Sequence, residues 1–131
     1  MGSEKEQQAI QKKMQEEVNK LRAVQSEFQT AATARQQLDA QLNENTIVKD
    51  ELDLLEADCK VYKMLGPVLV PQDLVEAKQT VSKRMEYIGA ELKRQQTLIE
   101  SIDKKQDVHR EKLNKLQQDF QKMAVGKPVK S

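Results

Sequence analysis

The chain has 131 residues, a third of them charged and only 3% aromatic, with no tryptophan. Its 22 basic and 21 acidic residues nearly cancel and are interleaved along the chain. That excludes a thick aromatic-rich core and the one-signed basic stripe or stacking platform of a nucleic-acid binder; the composition is that of long helices or coiled coils.

The first predicted element is a helix over about residues 8–56, free of proline and glycine and rich in good helix formers. Between Leu21 and Asn45 three- and four-residue steps alternate strictly through Val24, Phe28, Ala31, Arg35, Leu38 and Leu42. Ile10, Met14 and Val18 extend the stripe upstream, and Val48, Leu52 and Leu55 extend it downstream. This is a coiled-coil seam.

The connector follows. Val61-Tyr62-Lys63-Met64-Leu65 is strand-prone, Gly66-Pro67 is a turn signal, and Val68-Leu69-Val70 is a short continuous apolar run. A β-hairpin over about residues 60–71 is expected, with Pro71 stopping the second strand. Three consecutive apolar residues imply that both faces become covered, and a lone helical hairpin has nothing to cover both. An isolated hairpin is marginal in water and its edges seek another strand. Val61, Tyr62, Met64, Leu65, Gly66, Pro67, Val68, Leu69 and Val70 are therefore candidate assembly residues. The plainer alternative is an apolar loop capping the end of its own coiled coil.

The second helix is expected over about residues 74–124. Asp73 is its N-cap candidate, and Glu76 can complete a capping-box-like pair. The heptad frame runs Leu74, Lys78, Val81, Met85, Ile88, Leu92, Gln95, Ile99, Ile102, Gln106, His109, Leu113, Leu116, Phe120, Met123. A 3.5-residue repeat sustained this long implies a left-handed coiled coil. Each arm would be roughly 75 Å long. Residues 125–131 carry helix-ending chemistry and are expected to be a flexible tail.

Arms of matched length joined by a short connector favour a long antiparallel two-helix coiled coil. Facing residues then carry numbers that sum to about 130. Phe28 meets Ile102, Ala31 meets Ile99, and Arg35 shares a polar layer with Gln95. Both chain ends fall at one tip, whose stripe is Ile10, Met14, Val18, Leu113, Leu116, Phe120 and Met123. The plain reading of these seven is that they close the coiled coil, with some exposure where terminal turns lose partners on one side. Gln106 and His109 occupy seam positions facing Val24 and Leu21 and are expected to loosen the packing there. Replacing both with leucine should raise thermal stability.

At the connector the chain resembles a β-type subunit of the prefoldin family. The resemblance rests on Asn43-Glu44-Asn45-Thr46-Ile47-Val48-Lys49-Asp50-Glu51-Leu52, on Val61 through Val70, and on Lys83-Arg84-Met85-Glu86-Tyr87-Ile88, and it covers nearly the whole chain as one domain. It implies a mainly α fold whose single hairpin joins those of other α-type and β-type subunits in a β-barrel platform. It further implies an ATP-independent heterohexameric chaperone. Such a chaperone holds non-native chains, actin and tubulin above all, at its coiled-coil tips and passes them to the cytosolic chaperonin. By this resemblance Ile10, Met14, Val18, Leu113, Leu116, Phe120 and Met123 are candidate binding residues for non-native polypeptide, and replacing Gln106 and His109 with leucine should reduce cargo capture. The alternative function is a structural tether acting by homodimerisation.

No catalytic, cofactor or metal constellation is visible. There is one histidine and one cysteine, Cys59, and no phosphate-binding loop or metal-ligand spacing. Nor is there an apolar run of membrane-spanning length or an N-terminal signal, and Glu6 breaks a myristoylation motif at Met1-Gly2-Ser3. A cytoplasmic protein without cofactors, nucleic acid or membrane among its partners is expected.

Overall fold

The computed structural model describes residues 4–125, the last of these by its backbone alone. The chain runs α1 (Glu4–Asp53), β1 (Val61–Leu65), β2 (Val68–Gln72) and α2 (Leu74–Val125). Of the expected tail, only Val125 falls within the described residues, as the last residue of α2. No described helix is long and apolar enough to cross a membrane.

α1 opens with Glu4 and Glu6 in its first turn, where negative charge favours the helix dipole. It ends three residues earlier than expected. There the Leu54 and Leu55 amides donate to Glu51 and Leu52, each at 3.2 Å, so shorter i→i+3 bonds tighten and close the last turn. At the start of α2 the Glu76 amide donates to the Asp73 carboxylate at 3.3 Å. The Ala77 amide donates to the Asp73 carbonyl at 2.9 Å. Asp73 is thus the expected N-cap.

The two strands pair antiparallel as Val61↔Gln72, Tyr62↔Pro71, Lys63↔Val70, Met64↔Leu69 and Leu65↔Val68. Gly66 turns the chain with φ of 61°. Positive φ at the first of two turn residues, followed by the fixed φ of Pro67, is the II′ pattern that suits strand twist. Pro71 does not stop the second strand, which continues through it to Gln72. The reason lies in the alternation of an antiparallel ladder. A two-residue turn makes Leu65↔Val68 a hydrogen-bonded pair, so bonding alternates from there and Tyr62↔Pro71 falls on a non-bonded pair. The hairpin asks for no donor at Pro71.

The chain divides into two compact units, one formed by residues 1–32 and 97–131 and the other by residues 33–96. In the first unit Val24, Ala31, Ile99 and Ile102 form a buried cluster joined by Phe28. Phe28 with Ile102 and Ala31 with Ile99 are the antiparallel matches that the heptad frames imply. In the second unit Leu52, Leu74, Ala77 and Val81 are buried together, with Val61 and Met85 packed on them.

One expected layer of the second unit differs. Arg35 is exposed, because a long arginine can lay its stem on the helix and keep its guanidinium in water. Gln95 is half-buried, and its Oε1 is buried without a hydrogen-bond partner. Arg35 and Gln95 do not form the shared polar pair that the frame placed here.

Candidate functional site: an exposed apolar hairpin and a polar helical seam

The hairpin is anchored at its base. Val61 is half-buried against the cluster around Leu52 and Leu74, and Gln72 opposite it is also half-buried. Beyond that pair the sheet is uncovered. Tyr62, Met64, Leu65, Val68, Leu69 and Val70 are between 36% and 67% exposed, and Gly66 and Pro67 are exposed in the turn.

Side chains alternate across a strand, so the register sorts these residues into two faces. One face carries Tyr62, Met64, Leu69 and Pro71, all apolar or aromatic. The other carries Leu65, Val68 and Val70, with Lys63 as its one charge beyond the base pair. Neither face is covered by the described residues, and a contiguous exposed apolar surface of this kind marks an interaction site. The candidate assembly residues are thus on one structural feature, with Val61 as its root.

The seven candidate binding residues for non-native chains all fall in the first unit. Ile10, Met14, Val18, Leu113, Leu116, Phe120 and Met123 are each half-buried, none fully enclosed and none fully exposed. Leu116 lies in an open groove walled by Lys13, Glu17, Lys112 and Asp119.

Glu17 is a residue that the apolar stripe passes over. It is 7% exposed, and its Oε1 lies 2.9 Å from His109 Nδ1 across the two helices. Lys20 Nζ donates to its other oxygen at 3.3 Å. The hydrogen bond from His109 holds the Glu17 carboxyl below the ordinary glutamate range; burial opposes the shift and Lys20 assists it. A carboxylate that would be costly to bury alone is thereby accommodated. Gln106, one turn before His109, is buried. The seam here is a specific polar arrangement in which His109 meets Glu17, whereas Leu21 was the expected neighbour.

The position was recoverable. Continuing the strict three-four alternation upstream from Leu21 lands on Glu17, then Met14, then Ile10. Hydrophobicity favours Val18, but the frame points at Glu17.

No group of three or more histidine, cysteine, aspartate or glutamate side chains among the described residues could hold a metal ion. Cys59 is a free, exposed thiol.

A family model described as "Prefoldin subunit" matches residues 15–120. The chain is 47% identical to mouse (Mus musculus) prefoldin subunit 6 over 118 residues, covering 90% of this chain and 93% of the relative. It is 48% identical to a probable prefoldin subunit 6 of Caenorhabditis elegans over 112 residues, covering 86% and 89%. Against prefoldin subunit 6 of Arabidopsis thaliana it is 44% identical over 118 residues, covering 90% and 92%. Among solved structures, the prefoldin beta subunit from Thermococcus strain KS-1 superposes with a TM-score of 0.57 at 22% identity, covering 83% of this chain and 90% of that one; this likeness concerns the fold.

Proposed function

The chain belongs to the prefoldin subunit family, and from that membership we propose that it is a β-type subunit of a heterohexameric, ATP-independent chaperone. Its partners are other α-type and β-type prefoldin subunits. The observation that carries this reading is the hairpin, apolar on both faces except for Lys63 and covered on neither by the described residues. Burial of six apolar side chains of this size supplies several kcal/mol of association free energy, and open strand edges supply direction. A β-barrel platform formed with neighbouring hairpins covers both faces at once. The whole chain then acts as one prefoldin β-type domain.

In this reading the first unit does the chaperone's work. Ile10, Met14, Val18, Leu113, Leu116, Phe120 and Met123 hold exposed apolar segments of non-native chains such as actin and tubulin. Their half-buried state supports this, since each retains accessible apolar surface, and methionine adapts to varied partners. Cargo then passes to the cytosolic chaperonin, which places the protein in the cytoplasm. Neither catalysis nor a cofactor is needed.

Two measurements test it. Co-purification followed by native mass measurement should give a six-chain assembly with different small coiled-coil subunits; a self-contained homodimer would instead make the chain a tether. The assembly should suppress aggregation of a denatured protein without ATP. A chain lacking residues 1–18 and 113–131 should assemble but lose that suppression, and full suppression by it would remove the first unit from cargo binding.

A further inference from the structure

The backbone of the hairpin's two edges is not equivalent, and the difference bears on which strands it can take. With Leu65↔Val68, Lys63↔Val70 and Val61↔Gln72 bonding inward, the N–H and C=O groups of Tyr62 and Met64 point outward from β1. Those of Leu69 and Pro71 point outward from β2. The β1 edge thus offers two full donor–acceptor residues. The β2 edge lacks one donor, because Pro71 has no N–H.

Three pairings with a second copy of this chain follow from those edges. Joining β1 to β1 antiparallel, with both outward residues used on each chain, pairs Tyr62 with Met64 twice. It also sets Lys63 directly opposite Lys63 in the close, non-bonded position, and like charges so placed are destabilising. Joining β2 to β2 about Val70 pairs Leu69 with Pro71 twice and forfeits a hydrogen bond each time. Joining β1 to β2 spares the charges but still forfeits the Pro71 donor. Lysine and proline are residues by which natural sheets blunt an edge against unwanted pairing.

We propose that Lys63 and Pro71 set the hairpin against its own copy, and that the β1 edge takes an antiparallel strand of a different subunit. That strand is apolar and carries an acidic or uncharged residue opposite Lys63. This rests on the proposed function for the identity of the partner chains, and it adds which edge pairs and why a like subunit is refused.

The test compares self-association of the isolated full-length chain by sedimentation for wild type, Lys63→Val and Lys63→Val/Pro71→Val. Both positions are exposed, and helix content by circular dichroism checks that each variant folds. The double variant should self-associate about tenfold or more tightly than wild type, as expected for removing a like-charge contact and restoring one or two donors. Equal self-association of the two overturns the proposal. In the mixed assembly, amide exchange should slow at Tyr62 and Met64 relative to the isolated chain; slowing at Leu69 alone overturns the choice of edge. Failure of wild type to enter any mixed assembly sinks the proposed function instead, and leaves the isolated-chain comparison to decide between a self-refusing and a self-accepting hairpin.

Discussion

Replacing His109 alone with leucine should destabilise the first unit, although it puts an apolar residue on a coiled-coil seam. His109 and Glu17 side chains are 19% and 10% exposed and meet at 2.9 Å. A hydrogen bond to a charged group contributes about 1.5–3 kcal/mol, and the new leucine recovers about 1 kcal/mol by burial. The net loss is about 1 kcal/mol, or roughly 4 °C in Tm. Replacing Glu17 and His109 together by leucine leaves no stranded carboxylate. Apolar replacement of a buried pair is commonly neutral to stabilising by about 1–4 kcal/mol. The order expected in urea unfolding at pH 7 is therefore His109→Leu below wild type, and wild type at or below the double variant. The pH dependence supplies an independent check. Because the folded carboxyl sits below its ordinary value of 4.5, its contribution is complete above that value and is lost as pH falls through the lower folded value. Glu17→Gln should flatten that part of the acid limb. If His109→Leu alone stabilises as much as the double variant, the two side chains are not coupled and this account of the seam is wrong. The double variant should also capture less non-native chain, if opening of the polar seam exposes its apolar neighbours.

Other substitutions probe the rest of the fold. Ile102 is 1% exposed at the centre of the first unit's cluster, so Ile102→Ala should cost about 2–5 kcal/mol in chemical unfolding. Gly66 has φ of 61° with nothing near the position of an added Cβ; Gly66→Ala should cost about 1–2 kcal/mol from backbone conformation alone, read as weaker entry into the mixed assembly with unchanged helix content. Asp73→Ala removes the cap on α2 and should lower stability by about 1 kcal/mol, with Asp73→Ser recovering most of it.

Helices, hairpin and register were legible because each rests on a pattern that local chemistry imposes. The absence of proline and glycine from 4 to 53, the Gly66-Pro67 turn and the Asp73 cap leave few alternatives. The antiparallel match of Phe28 with Ile102 follows from two heptad frames and a short connector. What escaped were positions where two rules compete. At residues 17 and 18 periodicity competed with hydrophobicity, and periodicity prevailed because Glu17 found His109 across the seam. At Arg35 the frame placed a seam residue, and solvation of the guanidinium drew it out. At Pro71 the missing donor argued for a strand end, but which pairs bond depends on the turn, and the II′ turn put Pro71 where no donor is needed.

The same competition accounts for the two halves of the chain's chemistry. In the first unit, polar groups sit inside a seam that could have been apolar, and the cost is reduced by a cross-helix pair. In the hairpin, apolar groups sit outside where polar ones would dissolve better. Both depart from the choice that would most stabilise an isolated two-helix coiled coil. A tether would have no use for either departure. Under the proposed function, a subunit that enters an assembly of unlike chains and opens a seam around cargo needs both. In that reading exposed apolar faces would drive entry, Lys63 and Pro71 would bias the choice of neighbour, and a seam held by one carboxylate and one imidazole would open at lower cost than a leucine zipper of equal length.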